Sequence, residues 1–253
     1  MPLAYARALT GRARTPRANR QLGFALAFIA GATNAGGFLA VRQYTSHMTG
    51  IVSSMADNIA LGEPGLVLTG LGAVLSFLFG AATCAVLVNH ARRRQMHSEY
   101  ALPLLFEAFL LLCFGLLGAR LSQIDGLFVP ATVMLLCFIM GLQNAVITKI
   151  SKAEIRTTHV TGIVTDLGIE LGKLVYWNAP GATAQPAVKA DRARLRLLTV
   201  LLAAFFIGGV LGALGFKHLG YVSTVPLALV LIALAAVPAI DDLTAFARRL
   251  MKR

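Results

Sequence analysis

The chain has 253 residues, of which 57% are apolar and only 13% charged, and its mean hydropathy is +0.73. A water-soluble fold cannot hide that much apolar surface, which excludes an ordinary soluble domain and makes the lipid bilayer the expected partner. The net charge of +12 would suggest nucleic acid in a soluble protein, but here the basic residues lie between apolar runs, where they set orientation instead.

In chain order, the segment 1–20 carries Arg7, Arg12, Arg14, Arg17 and Arg20 with no acidic residue, which predicts a cytoplasmic N-terminus. The first apolar run, 21–41, is too long for the core of a signal peptide. Further runs follow at 65–88, 101–119, 129–147 and 197–216, with a shorter one at 224–240. Each approaches the roughly 20 residues that cross about 30 Å of hydrocarbon as a helix, the form that satisfies its own backbone polar groups. Two segments, 48–61 and 162–171, are too short and too polar for ordinary spans. At roughly 1.5 Å per residue they reach only part of the way across. Cys84, Cys113 and Cys137 are scattered within the apolar runs and read as small core residues.

The chain is internally duplicated. Thr45 to Val52 (TSHMTGIV) and Thr157 to Val164 (TTHVTGIV) agree at six of eight positions at an offset of 112 residues, and each follows an apolar run containing an Asn-Ala pair, Asn34-Ala35 and Asn144-Ala145. Counting Lys and Arg then chooses between two topologies. If both short segments cross, there are eight spans and 15 basic residues inside against 8 outside. If both re-enter and return, there are six spans, only Arg42, Arg120 and Lys217 lie outside, and the count is 20 against 3. The positive-inside rule favours the second. The expected fold is therefore all-α: a single polytopic membrane domain of six transmembrane helices plus two short re-entrant helices, in a 3+3 inverted repeat with copies at 21–120 and 129–240. Both termini are expected in the cytoplasm.

In secondary transporters and channels, broken helices from inverted halves meet near the bilayer midplane and build the solute site. The substrate-binding candidates here are Asn34, Thr45, Ser46, His47, Thr49 and Gly50 in one copy and Asn144, Thr157, Thr158, His159, Thr161 and Gly162 in the other. The hydroxyls are expected to cap the two short helices, whose N-termini favour an anion or polar solute, while the glycines permit close approach. His47 and His159 are expected to serve as solute contacts or structural hydrogen-bonding groups, since no carboxylate or cysteine stands beside them at ligand spacing; no metal and no cofactor is expected. Asp57, Glu107, Asp166 and Glu170 are ionisable groups within apolar or short segments, hence candidates for proton or ion coupling. Asp166 and Glu170 are four apart, on one helix face, where they can share a proton or meet Lys173. Small residues at Gly72, Ser76 and Gly80, and at Gly208, Gly209, Gly212 and Gly215, predict close helix packing. No nucleophile turn, H-E-x-x-H, P-loop or dinucleotide fingerprint is present, which argues against an enzyme.

The segments GATNAGGFLAVRQYTSHMTGIVSSMADNIALG, from Gly31 to Gly62, and GLQNAVITKISKAEIRTTHVTGIVTDLGIELGKL, from Gly141 to Leu174, make the chain resemble the YoaK family of bacterial inner-membrane proteins, a domain of unknown function numbered 1275. That resemblance implies a six-helix inner-membrane protein and supplies no substrate or functional residue. The expected activity is transport of a small polar or anionic solute, with a channel, or a non-transporting scaffold or sensor, as alternatives. The expected partners are lipid and a small solute or ion, not nucleic acid, with homo-oligomerisation left open.

Overall fold

The computed structural model describes residues 7, 9–11, 14–121, 128–151, 153–178 and 187–251; Arg12 and the polar connector 179–186 fall outside them. Among the described residues the backbone is helical without strands. Among the described residues from 16 onward, eight α-helices run in the order α1 (Pro16–Val41), α2 (Met48–Leu61), α3 (Pro64–Arg93), α4 (Ala101–Leu121), α5 (Phe128–Ser151), α6 (Val160–Val175), α7 (Arg192–Leu219) and α8 (Thr224–Leu250), with a 3-10 turn, Gly220–Ser223, before the last. Among the described residues five stretches are long and apolar enough to cross a membrane, and the fifth, Arg192–Ala245, takes in α7, the turn and most of α8.

Local chemistry sets the helix ends. α1 begins at Pro16, earlier than residue 21, because Thr15 accepts a hydrogen bond from the Ala18 N–H at 3.1 Å and proline occupies the first turn, where it removes no needed donor. It stops at Arg42, whose φ of 57° is left-handed and whose N–H closes on the Phe38 carbonyl at 2.7 Å. Between α2 and α3 the turn at Gly62 and Glu63 folds α2 back on α3, so that Ile51 and Met55 lie beside Gly70. α6 is longer than the expected 162–171 and likewise leans on the following long helix, α7.

The long helices exchange partners between the two copies. α1 packs most extensively against α7, and α5 against α3. In both pairs glycine brings the backbones into contact: a methyl built on Gly31 would fall 2.0 Å from the Phe205 carbonyl oxygen, and one on Gly208 equally close to that of Phe28. Gly141 against Phe77 and Gly80 against Phe138 repeat the arrangement. Each of the four helices thus carries Phe-x-x-Gly at its crossing, at 28–31, 77–80, 138–141 and 205–208. Close backbone approach is what holds helices together where lipid removes the hydrophobic drive between them.

Helix directions follow from the contacts. Phe28, Ala32 and Gly36 of α1 meet Gly208, Gly212 and Phe216 of α7 in the same order, so these two run parallel. α1 and α5 run antiparallel, with Asn19 donating to the Ile150 carbonyl at 3.4 Å, Gly23 near Ile147, and Gly37 on Leu136. α4 and α8 are also antiparallel: Asp242 accepts from the His97 and Ser98 N–H groups, both at 2.8 Å, while Gly115 at the other end meets Thr224.

Candidate functional site

In each copy the loop preceding the short helix is held by the asparagine of the long helix before it. Asn34 Oδ1 accepts from the Ser46 N–H at 3.2 Å and from Ser46 Oγ at 3.0 Å. Asn144 Oδ1 accepts from Thr158 Oγ1 at 2.6 Å, and its Nδ2 donates to the Met140 carbonyl at 2.8 Å. Because Asn34 lies two turns inside the end of α1, the loop turns back along the helix and starts α2 at that depth.

The preceding threonines are sealed in. Thr45 and Thr157 are fully buried, and neither hydroxyl has a hydrogen-bond partner. The expected capping is not what forms. The N-cap residues of α2 and α6 are His47 and His159, without a side-chain cap hydrogen bond, since the neighbouring hydroxyls of Ser46 and Thr158 turn to the asparagines. Gly50 makes room for the ring of His47 itself, and Gly162 lies near that of His159. Thr49 and Thr161 are exposed on the first turns.

The two histidines do not share one cavity. A cavity of about 900 Å³ opens between α1, α6 and the start of α7; His159 lines it, together with Gly162, Arg20, Arg156 and Arg194, whereas His47 does not. Arg194 is paired with Asp166 at 2.9 Å. Glu170, buried, accepts from Lys173 and from the Asp191 N–H, both at 2.8 Å; these hydrogen bonds, led by Lys173, hold its carboxyl below the usual carboxylate range. Asp166 and Glu170 therefore bind separate partners and do not share a proton. Asp57 is exposed on α2. Glu107, within α4, is completely buried with both oxygens unpartnered. Among the described residues no group of three or more His, Cys, Asp or Glu side chains is placed to hold a metal.

The sequence candidates include neither Thr33 nor the arginines that line the cavity. Thr33 is buried with its hydroxyl unpartnered, as is the amide of Gln143, its equivalent one copy later. The signal available was position: each immediately precedes the tethering asparagine.

A chain whose described residues are helical without strands, with several apolar helices of membrane-crossing length, is a polytopic membrane protein. Residues 22–237 match the family described as protein of unknown function (DUF1275), and the chain belongs to it. It is similar to the UPF0700 transmembrane protein YoaK of Bacillus subtilis (strain 168), with 26% identity over 212 residues, covering 81% of this chain and 88% of that protein. No solved structure matches it.

Proposed function

We propose that this is a transporter of a small polar or anionic solute, built as six spans in a 3+3 inverted repeat with α2 and α6 as re-entrant helices. The observation that carries the reading is the antiparallel course of α1 and α5, the equivalent helices of the two copies, each holding the loop of its own short helix through an asparagine. Equivalent helices would run parallel if both short helices crossed. The antiparallel course of α4 and α8 supports the same count.

On this reading the protein lies in the bacterial cytoplasmic membrane with both termini inside, and the 900 Å³ cavity beside α6 is an opening to the cytoplasm. Alternating access then exchanges that opening for one beside α2. Glu107, buried and unpartnered on α4, is the candidate for proton coupling, and no catalytic residue or cofactor is invoked.

Two measurements test this. Single cysteines at Arg93 and Glu154, with the native cysteines replaced, should resist a membrane-impermeant thiol reagent in intact cells and react in opened membranes. Labelling of both from outside would require eight spans and remove the inverted repeat. Purified protein in liposomes should pass at least one small solute faster than protein-free vesicles, and His47→Ala with His159→Ala should abolish that flux; full flux in the folded double variant would remove the histidines from the site.

A further inference from the structure

Polar side chains left without partners in a packed interior mark places where something else binds, because native structures pair nearly all such groups. Among the described residues seven carry such groups, and four of the seven fall in two repeat-matched pairs. Thr33 and Gln143 hold equivalent positions in α1 and α5, two residues beyond the crossing glycines Gly31 and Gly141. Thr45 and Thr157 hold equivalent positions in the two loops. Thr33 is 2% exposed and the other three 0%; none of the three hydroxyls, and neither polar atom of the Gln143 amide, has a hydrogen-bond partner. A packing accident has no reason to occur twice at matched positions.

We infer that these repeat-matched groups, Thr33 and Thr45 in one copy and Gln143 and Thr157 in the other, are contacts for a neutral, hydrogen-bonding solute. This rests on the transport reading above and narrows its solute class. A hydroxyl and a carboxamide each donate and accept, so they match a solute bearing hydroxyl or amide groups. Asn34, Ser46, Asn144 and Thr158, already engaged in the tethers, leave the unpartnered set as the groups free to bind. No member of either set carries a charge, so an ion stripped of water among them would find no counter-charge to offset its desolvation. The cavity beside α6 is lined by both signs of charge, Arg20, Arg156 and Arg194 with Glu154, Asp166 and Asp191, leaving little net field to concentrate an anion.

The test uses full-length protein in liposomes, with urea, glycerol and acetamide as neutral probes and sodium formate and sodium phosphate as anions, followed by stopped-flow light scattering. Thr33→Val and Gln143→Leu replace the groups with apolar side chains of similar size, and thermal unfolding in detergent is followed in parallel. The wild type should pass at least one neutral probe. Each variant should slow it about tenfold or more, the weight of about one hydrogen bond, while melting at or above the wild-type temperature because an orphaned polar group has been removed. Neutral flux unchanged in both variants, wild-type flux confined to the anions, or a marked fall in melting temperature showing that the groups are structural would each overturn the inference. A wild type that passes no probe of either class would instead overturn the transport reading on which it rests.

Discussion

Replacing Gly31 by alanine puts a methyl 2.0 Å from the Phe205 carbonyl oxygen and 3.0 Å from the Gly209 nitrogen. Both are backbone atoms of α7 and cannot swing aside as a side chain would. Restoring an ordinary contact of about 3.4 Å requires α1 and α7 to part by about 1.4 Å, which weakens dispersion along the whole crossing. The expected cost is about 1–3 kcal/mol, that of overpacking a tight interface. Gly208→Ala, Gly141→Ala and Gly80→Ala meet carbonyls at the same 2.0 Å and should cost about as much. Gly31→Ala with Gly208→Ala should cost less than the sum of the two, because one separation of α1 from α7 relieves both clashes. Gly31→Ala with Gly141→Ala should add, since their partners differ. The controls are Gly168→Ala and Gly172→Ala on α6, where a methyl meets nothing within 4 Å and should be neutral or stabilising by about 0.5–1 kcal/mol. Melting in detergent can be read with a thiol-reactive dye, because Cys84 and Cys137 are buried and free. Crossing variants that melt with the wild type, or no lower than the α6 controls, would refute the packing argument.

Glu170→Gln should separate the ion pair with Lys173 from the hydrogen bond to the Asp191 N–H. Since the folded carboxyl titrates below its ordinary value of 4.5, its contribution is fully present above that pH and fades as pH falls through the folded value. The melting difference between wild type and variant, followed by circular dichroism, should therefore shrink below about pH 4.5 and stay constant above; a difference that grows on acidification would reverse the sign. Asn34→Ala and Asn144→Ala should each destabilise by about 1–3 kcal/mol by leaving polar loop groups unpaired. Only Asn34→Ala should speed hydrogen exchange at the Ser46 amide, because only there does the backbone donate to the tether. Arg42→Gly and Ala153→Gly relieve left-handed φ angles of 57° and 67° and should raise the melting temperature, each by about 1 kcal/mol of stability or less; a fall in either would show that the replaced side chain contributes more than the strain costs.

What the sequence disclosed was whatever is local or repeated. The offset of 112 residues marked both short helices, and the apolar runs marked the long ones, with ends displaced where Thr15 and Pro16 start α1 early. Phe-x-x-Gly was in view in four helices, yet its meaning depends on which helices meet, and the pairing of α1 with α7 and of α5 with α3 joins segments far apart in the chain. The Ser and Thr residues before the short helices were read as caps because capping is the local option; Asn34 and Asn144, a dozen or so residues earlier, captured Ser46 and Thr158 instead. Asp166 was matched with Glu170 by helix spacing, whereas Arg194, 28 residues away, is its partner. That Thr33 and Gln143 are unpartnered is a property of the packed interior, which no pattern in one strand of sequence expresses.

The two copies share more of their interior than of their loop ends. Asparagine tethers, buried threonines and crossing glycines recur at matched positions, but where one copy has Arg156 on the cavity wall the other has Tyr44, its ring stacked on Phe38 with centroids 4.5 Å apart. Phe38 in turn corresponds to Thr148. In the proposed inverted arrangement these positions face opposite sides of the membrane: a flat aromatic pair outside, a charged and hydrated wall inside. On that reading a duplicated site that holds the same solute from either side keeps uncharged hydrogen-bonding groups at matched positions, Thr45 with Thr157 and Thr33 with Gln143. The two entrances of the proposed transporter open to different compartments and carry no such constraint, and the exchange of Tyr44 for Arg156 falls there.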